Sequence, residues 1–308
     1  MRKFIIFTPS YDETVGGAIV LHKLCHVINK LGFKAYLFPS FDSELTNKYH
    51  FFKPTKQIFN SLFHKRGRKF KVNPSFLTPI YTGQLSALND DYVVVYPETV
   101  LGNPLQAKNI VRWLLHNPGY HTGQFCFNRH ELIFKFNSGI KDLNIDSLYT
   151  SSLDLKVIHY PLEHYNNKNM APNRHGTAYC LRKGHNKTIV HNLSNSILID
   201  DKSHQEISNI FKSVDTFISY DTVTAYSVFA VLCGCKSVVI PDQGVLESEW
   251  YPNKTDRYGL SYGLENLAKA KETAHLVLPR VLEEEKNVEN LVTRFAQETN
   301  NYFNKKSY

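Results

Sequence analysis

Several features that would classify a chain at sight are missing from this sequence. Its five cysteines, Cys25, Cys126, Cys180, Cys233 and Cys235, form no Cys-x-x-Cys pair, and an odd number leaves at least one thiol unpaired in any disulfide scheme. Reduced thiols in a cytosolic compartment are therefore expected. Cys233 and Cys235, two positions apart at the end of a predicted helix, do not face each other as a pair of metal ligands would, and read as small buried residues. No apolar run approaches the roughly 20 residues that a bilayer-spanning helix needs, and MRKFIIFTPS is too short an apolar stretch for a secretory signal. A cytoplasmic location follows as the expectation. The Gly-x-Gly-x-x-Gly fingerprint is absent, and FKAYLFPS ends without the ribose-binding acid, Asp42 lying a little beyond it. Dinucleotide chemistry is disfavoured, and there is no internal repeat.

What the sequence does hold is enough for two domains, since 308 residues can bury two cores. With 42% hydrophobic and 21% charged residues the composition is that of an ordinary globular chain. A net charge of +8 favours a polyanionic partner: nucleic acid, anionic lipid headgroups or a diphosphate-bearing substrate.

The order of elements is α/β. KFIIFTP reads as a strand, SYDETVGG as a polar loop closing on Gly16 and Gly17, and AIVLHKLCHVINKLG as a helix. Its Val20, Leu21, Leu24, Val27, Ile28 and Leu31 share one face, and Gly32 stands where a helix C-terminal glycine belongs. The strand FKAYLFP completes a strand-helix-strand unit with parallel strands. Residues 41 to 90 mix aromatics with the basic run HKRGRKFK at 64 to 71. DDYVVVYPE and NIVRWLLHNPG then read as strands, and LYTSS and KVIHYP as the last strands of this half, with FNRHELIFKFNSGI and a short turn between. PLEHYNNKNMAPNRH, 161 to 175, has the composition of an exposed linker. The rhythm restarts with strand GTAYCL, loop RKGHNK, strand SILID, helix SHQEISNIFKSV, strand DTFIS, helix TVTAYSVFAVLCG and strand KSVVIP. A largely helical segment follows from about 263 to 303. Two such alternations predict two Rossmann-like, doubly wound domains.

Candidate site residues lie where these strands end. Gly16 and Gly17, just before a helix, let backbone N–H groups approach a phosphate or an acidic acceptor group, or make a tight turn and no more. Arg182, Lys183, His185 and Lys187 crowd the loop after GTAYCL, where a leaving nucleoside diphosphate would be neutralised; the ordinary alternative is a solvated basic turn. FISYDTVTAYSVFAVLCGCKSVVIP delivers Ser219, Tyr220 and Asp221 from a strand and places Thr222 and Thr224 at the start of the next helix. Capping accounts for one such residue; the whole polar cluster suits a diphosphate, with Asp221 accepting from sugar hydroxyls. In the first half, Glu98 follows YVVVYP and His116 ends VRWLL, so both emerge at one sheet edge. A carboxylate or imidazole there can serve as general base toward an acceptor hydroxyl, although a lone histidine is as often structural. His121 and Asp12 are reserves. HKRGRKFK, with Phe59, Phe63 and Phe70 nearby, offers a peripheral contact with an anionic membrane, or a solvated loop. Nucleic acid is disfavoured because no recognised motif for binding it accompanies the basic run.

On PSYDETVGGAIVLHKLCHVINKLG, FISYDTVTAYSVFAVLCGCKSVVIP and YGLSYGLENLAKA, the chain resembles the GT-B glycosyltransferases over most of its length, in particular bacterial enzymes that build capsule or lipopolysaccharide glycans. The resemblance implies two Rossmann-like domains facing a cleft, a nucleoside diphosphate sugar as donor on the C-terminal domain, an acceptor on the N-terminal domain, a last helix crossing back to the first domain, and no obligatory metal or other cofactor. The matching boundaries are 1–165, 172–285 and a C-terminal helix at 286–308. Many retaining members carry two glutamates eight positions apart where this chain has Asp221 and Phe229, which leaves the stereochemical class and the nucleotide base open. The function expected is sugar transfer to a glycan or lipid-linked glycan acceptor. A sugar-nucleotide epimerase on the same fold, or a non-catalytic basic module binding RNA or anionic membrane, are the alternatives.

Overall fold

A computed structural model describes residues 1–40, 70–143 and 145–305. Asp42, Phe59, Phe63 and residues 64–69 of the basic run lie outside the described residues. The chain divides into two compact units: unit 1 holds Met1–His159 and Asn287–Tyr308, and unit 2 holds Tyr160–Lys286.

Unit 1 opens as its sequence predicts, with strand β1 (Lys3–Thr8), helix α1 (Gly16–Lys30) and strand β2 (Ala35–Pro39). Strands β3 (Tyr92–Pro97), β4 (Ile110–Leu114), β5 (Leu132–Lys135) and β6 (Tyr149–Asp154) follow. All six form one sheet in the order β2-β1-β3-β4-β5-β6, parallel at every pairing. Alternation along β1 sorts the two faces. Phe4 and Ile6 pack on one side with Leu21, Leu24 and Ile28 of α1, while Ile5 and Phe7 pack on the other with Phe38, Tyr81, Tyr96 and Leu105. Helix α1 ends at Gly32, whose φ of 81° is a left-handed conformation that glycine adopts without strain, and the Phe33 N–H closes the turn on the Ile28 carbonyl.

Two expectations for this half are corrected. FNRHELIFKFNSGI contains β5, a central strand of only four residues. KVIHYP forms no strand: the Leu155 N–H still reaches the Lys135 carbonyl, but the Val157 N–H turns back onto Leu155, which ends the ladder while Val157 stays buried in the core.

Unit 2 contains strands β7 (Thr177–Cys180), β8 (Ser196–Leu198), β9 (Thr216–Ser219), β10 (Lys236–Val239) and β11 (Leu260–Tyr262). They too form a parallel sheet, in the order β11-β10-β9-β7-β8. Helices α2 (His204–Ser213), α3 (Tyr226–Leu232), α4 (Glu247–Trp250) and α5 (Leu267–Thr273) are interleaved. A capping box starts α2, the Ser203 hydroxyl accepting from the Glu206 N–H while the Glu206 carboxylate takes the Ser203 N–H. Residues 161–175 are an exposed linker only in part: 167–170, 172, 173 and 175 are exposed, whereas Pro161 and Tyr165 are buried. The Tyr165 ring stacks on Phe229 at 4.4 Å and its hydroxyl lies 2.6 Å from Nδ1 of His204, which anchors the start of this polar stretch in the unit's core.

Helix α6 (Val277–Lys305) begins in unit 2 and has its residues from Asn287 onward in unit 1. There Val288, Val292, Phe295, Ala296 and Phe303 complete the core beneath α1, and Phe295 meets Phe4 and Phe134 at 5.4 and 4.9 Å between ring centres. No helix among the described residues is long and apolar enough to cross a membrane. The cysteines are unpaired, and burial pushes the Cys233 and Cys235 thiols up to about 11 and about 12.

Candidate functional site

In an open parallel sheet the crevice for a ligand lies outside the carboxyl ends of the two strands where the strand order reverses. Unit 1 reverses between β1 and β3, and unit 2 between β7 and β9. Gly16, Gly17 and Glu98 follow β1 and β3, and the 182–187 and 219–224 segments follow β7 and β9, at these positions; His116 and His121 follow β4, one strand further along the same edge.

In unit 1, β1 leads into a loop held by its own side chains. Oδ1 of Asp12 accepts from both the N–H and the hydroxyl of Thr14, at 2.9 and 2.7 Å. The Thr14 hydroxyl, then its N–H, holds the Asp12 carboxyl below the usual carboxylate range, which makes it a weak base. His22, buried on α1, donates from Nε2 to the Pro9 carbonyl at 3.0 Å and so pins the loop to the helix. Gly16 and Gly17 are the first two residues of α1 rather than part of the loop before it. No side chain caps this helix and no acid lies in its first turn. A Cβ on Gly16 would meet nothing within 4 Å, and one on Gly17 would only touch Cδ1 of Leu115 at 3.7 Å. Helix start and strand-end groups thus share one edge.

Beside them, Glu98 follows β3 and His116 lies two residues past β4, and both are buried. Oε2 of Glu98 accepts the Leu115 N–H at 2.9 Å, tying the end of β3 to the end of β4 next to His116. Nδ1 of His116 accepts the Asn117 N–H at 2.8 Å, so the neutral ring carries its proton on Nε2. Its ring packs on Tyr120 at 4.1 Å and His121 at 5.2 Å. The structure therefore gathers Gly16, Gly17, Glu98, His116 and His121 around the carboxyl edge of one sheet.

In unit 2 the cationic loop after β7 is drawn tightly across β9. A Cβ on Gly184 would fall 2.0 Å from the Tyr220 carbonyl oxygen, so only glycine fits. Both oxygens of Asp200 accept from the Leu181 N–H, and one also takes the Arg182 N–H at 2.9 Å. These bonds hold Arg182 at φ 39°, an uncommon conformation for a side chain of this size, with its guanidinium 4.5 Å from the Tyr226 ring centre. Lys183 lies half-buried on the same turn. Lys187 reaches across the strand ends to Oδ1 of Asp242 and to the Ile240 carbonyl, both at 2.7 Å. The same Asp242 accepts from the Thr222 hydroxyl at 3.1 Å.

Helix α3 starts four residues later than its sequence suggests. Oδ1 of Asp221 accepts the Val223 N–H at 3.1 Å and makes a turn of residues 221 to 225, so Thr222 and Thr224 lie in that turn instead of in the helix. The Trp250 indole donates to the Thr222 carbonyl at 2.7 Å and closes the turn from outside. The Tyr220 ring points away from the turn, its hydroxyl taking the Val190 N–H and meeting Nδ1 of His191, each at 2.8 Å. Phe229 is buried against Tyr165. Asp200, Asp242 and Gly184 are the site residues that sequence reasoning missed. Asp242 carries a faint signal, an acid directly after the strand KSVVIP; Asp200 and Gly184 gain meaning only from contacts across the fold.

Among the described residues no group of three or more His, Cys, Asp or Glu is placed to hold a metal ion. No family model matches the chain, and no curated protein matches it. Solved structures similar to the chain include the following two. A spinosyn forosaminyltransferase, SpnP, is 10% identical, with 97% of this chain and 100% of that one covered and a TM-score of 0.46. MurG of Acinetobacter baumannii is 8% identical, with 99% of each chain covered and a TM-score of 0.33.

Proposed function

We propose that the chain is a GT-B-type glycosyltransferase, moving a sugar from a nucleoside diphosphate donor to a glycan or lipid-linked glycan acceptor in surface polysaccharide synthesis at the cytoplasmic face of a membrane. One observation carries the reading. In each of two parallel sheets, side chains that the sequence singles out emerge at the carboxyl ends of the strands, among them Glu98 and the 182–187 and 219–224 segments where the strand order reverses. Unit 2 offers the cationic edge, Arg182, Lys183 and Lys187 with the turn of Thr222 and Thr224, which suits a diphosphate. Unit 1 offers Glu98, His116 and an uncapped helix start, which suits a hydroxyl-bearing acceptor.

In this mechanism the donor diphosphate replaces Asp242 as the partner of Lys187, and Asp221 accepts from the donor sugar. For inversion, the Glu98 carboxylate takes the proton of the acceptor hydroxyl, whose oxygen bonds to the anomeric carbon. The bond from that carbon to the diphosphate breaks, and its electron pair leaves on the diphosphate oxygen, where Arg182 and Lys187 offset the charge. Glu98 is preferred to His116 as base because the lone pair on Nδ1 is occupied and Nε2 carries the proton. For retention, front-side attack assisted by the diphosphate needs neither.

The test is a thermal-shift panel with UDP, GDP, dTDP, CMP and their sugar conjugates. A ligand at about 100 times its Kd stabilises by roughly 2.7 kcal/mol. A rise with one nucleotide class is expected, together with its loss in Arg182→Ala, whose ligand-free melt should remain cooperative. A flat response to every nucleotide rejects the donor assignment.

A further inference from the structure

The strand β4 carries a charge where an apolar residue would be expected. Arg112 stands between Val111 and Trp113 and is fully buried, as is its partner Glu131, the residue immediately before β5. Nε and Nη2 of Arg112 donate to the two carboxylate oxygens of Glu131, each at 2.8 Å, in the parallel geometry that matches the two planes. The remaining donors all go to backbone carbonyls of one loop. Nη1 reaches Val100 at 2.6 Å and Pro97 at 3.4 Å, and Nη2 reaches Gly102 at 2.8 Å. All five N–H groups of the guanidinium are thereby used. Glu131 in turn takes the N–H and the side-chain amide of Asn128, at 2.7 and 3.0 Å.

A buried ion pair of this kind is a poor way to gain stability, because well-packed apolar residues of similar volume commonly do as well or better. What the guanidinium supplies that an apolar side chain cannot is a rigid fork fixing three carbonyls, at residues 97, 100 and 102. Those carbonyls bracket Glu98.

We propose that Arg112, with Glu131, is a positioning residue for the Glu98–His116 site: it moulds the loop after β3 so that the Glu98 carboxylate meets the Leu115 N–H, one residue before His116. The inference rests on reading Glu98 as the base toward the acceptor, with His116 as its neighbour at the same sheet edge. It goes beyond that reading in assigning how the pair is held.

The test needs no acceptor, because it follows the His116 ring by NMR titration in the full-length chain. Tyr120 and His121 face the same ring, so the comparison is between variants in which both are retained. Glu98→Gln removes a nearby negative charge and is expected to lower the His116 midpoint by about one pH unit, a tenfold loss of proton affinity. Arg112→Lys cannot make the fork, and is expected to move the midpoint in the same direction. In the Glu98→Gln background it should add nothing. Glu131→Gln, which keeps the guanidinium but weakens its anchor, should give a smaller shift of the same sign and covers the case in which Arg112→Lys does not fold. Phe295→Leu, in the core of the same unit, lowers Tm without moving the midpoint and so separates loss of stability from loss of position. Wild-type His116 titration in folded Arg112→Lys or Glu131→Gln overturns the proposal. An unmoved midpoint in Glu98→Gln overturns the Glu98–His116 pairing together with it. The thermal-shift panel reads the donor assignment independently of either result.

Discussion

Three glycines separate two uses of the same residue. Gly16 and Gly17 have room for a methyl group on a helix start that no side chain caps, while Gly184 has the Tyr220 carbonyl where its Cβ would be. Alanine at 16 or 17 should stabilise the protein by about 0.5–1 kcal/mol, read as a higher urea midpoint, because alanine is the better helix former. If the helix start takes an anionic or hydroxyl group of the acceptor, the same variants lose turnover while gaining stability. Gly184→Ala should cost about 1–3 kcal/mol or more in the same melts, and weaken nucleotide binding by displacing Arg182 and Lys187. The pair Gly16–Gly17 stood out in the sequence because it closes a polar loop before a periodic helix. The need for glycine at 184 was invisible there, since the obstructing carbonyl lies 36 positions away and comes near only when β7 and β9 pair.

At the scale of elements, legibility followed length and partners. Strand β1, helix α1 and β2 announce themselves through the change from unbroken apolar runs to helical spacing. Strands β5 and β11, of four and three residues and buried on both faces, show no alternation to read. KVIHYP erred the other way: apolar enough for a strand, it finds no neighbour beyond the edge strand β6. The start of α3 was misplaced because the Asp221 side chain competes with the helix for the Val223 N–H. Helix α1 also gives the protein a pH response. Burial is the main reason that the imidazole of His22 titrates below its ordinary value, outweighing the Pro9 carbonyl, and burial likewise lowers His26 and His191. These groups are neutral in the folded chain and take up protons more readily when it unfolds. Their contribution is therefore complete above the unfolded value near 6.5 and is lost as pH falls through the lower folded values. Tm is expected to decline between pH 7 and pH 5, and His22→Phe should flatten part of that decline; an unchanged slope in the variant would refute the assignment to His22.

For the molecule as a whole, the two-unit organisation was readable from the restart of the α/β rhythm, but the tie between C-terminal helix and first unit was not derivable from hydrophobic spacing alone. Spacing marks which face of α6 is apolar and says nothing about which core receives it. The structure answers with Val288, Val292 and Phe295 in the core of unit 1. Ending the chain after Lys286 should therefore leave unit 2 protected in limited proteolysis while unit 1 is digested, and nucleotide binding, if it belongs to unit 2, should survive.

Because unit 1 is built from two stretches separated by all of Tyr160–Lys286, its parts emerge from the ribosome far apart in time. The second unit, continuous in sequence, can close while the first still lacks Phe295 and Phe303. For the whole interval in which residues 160 to 286 are being made, the sheet face carrying Phe4 and Phe134 lacks its cover from Phe295 and is the surface on which a chaperone would act.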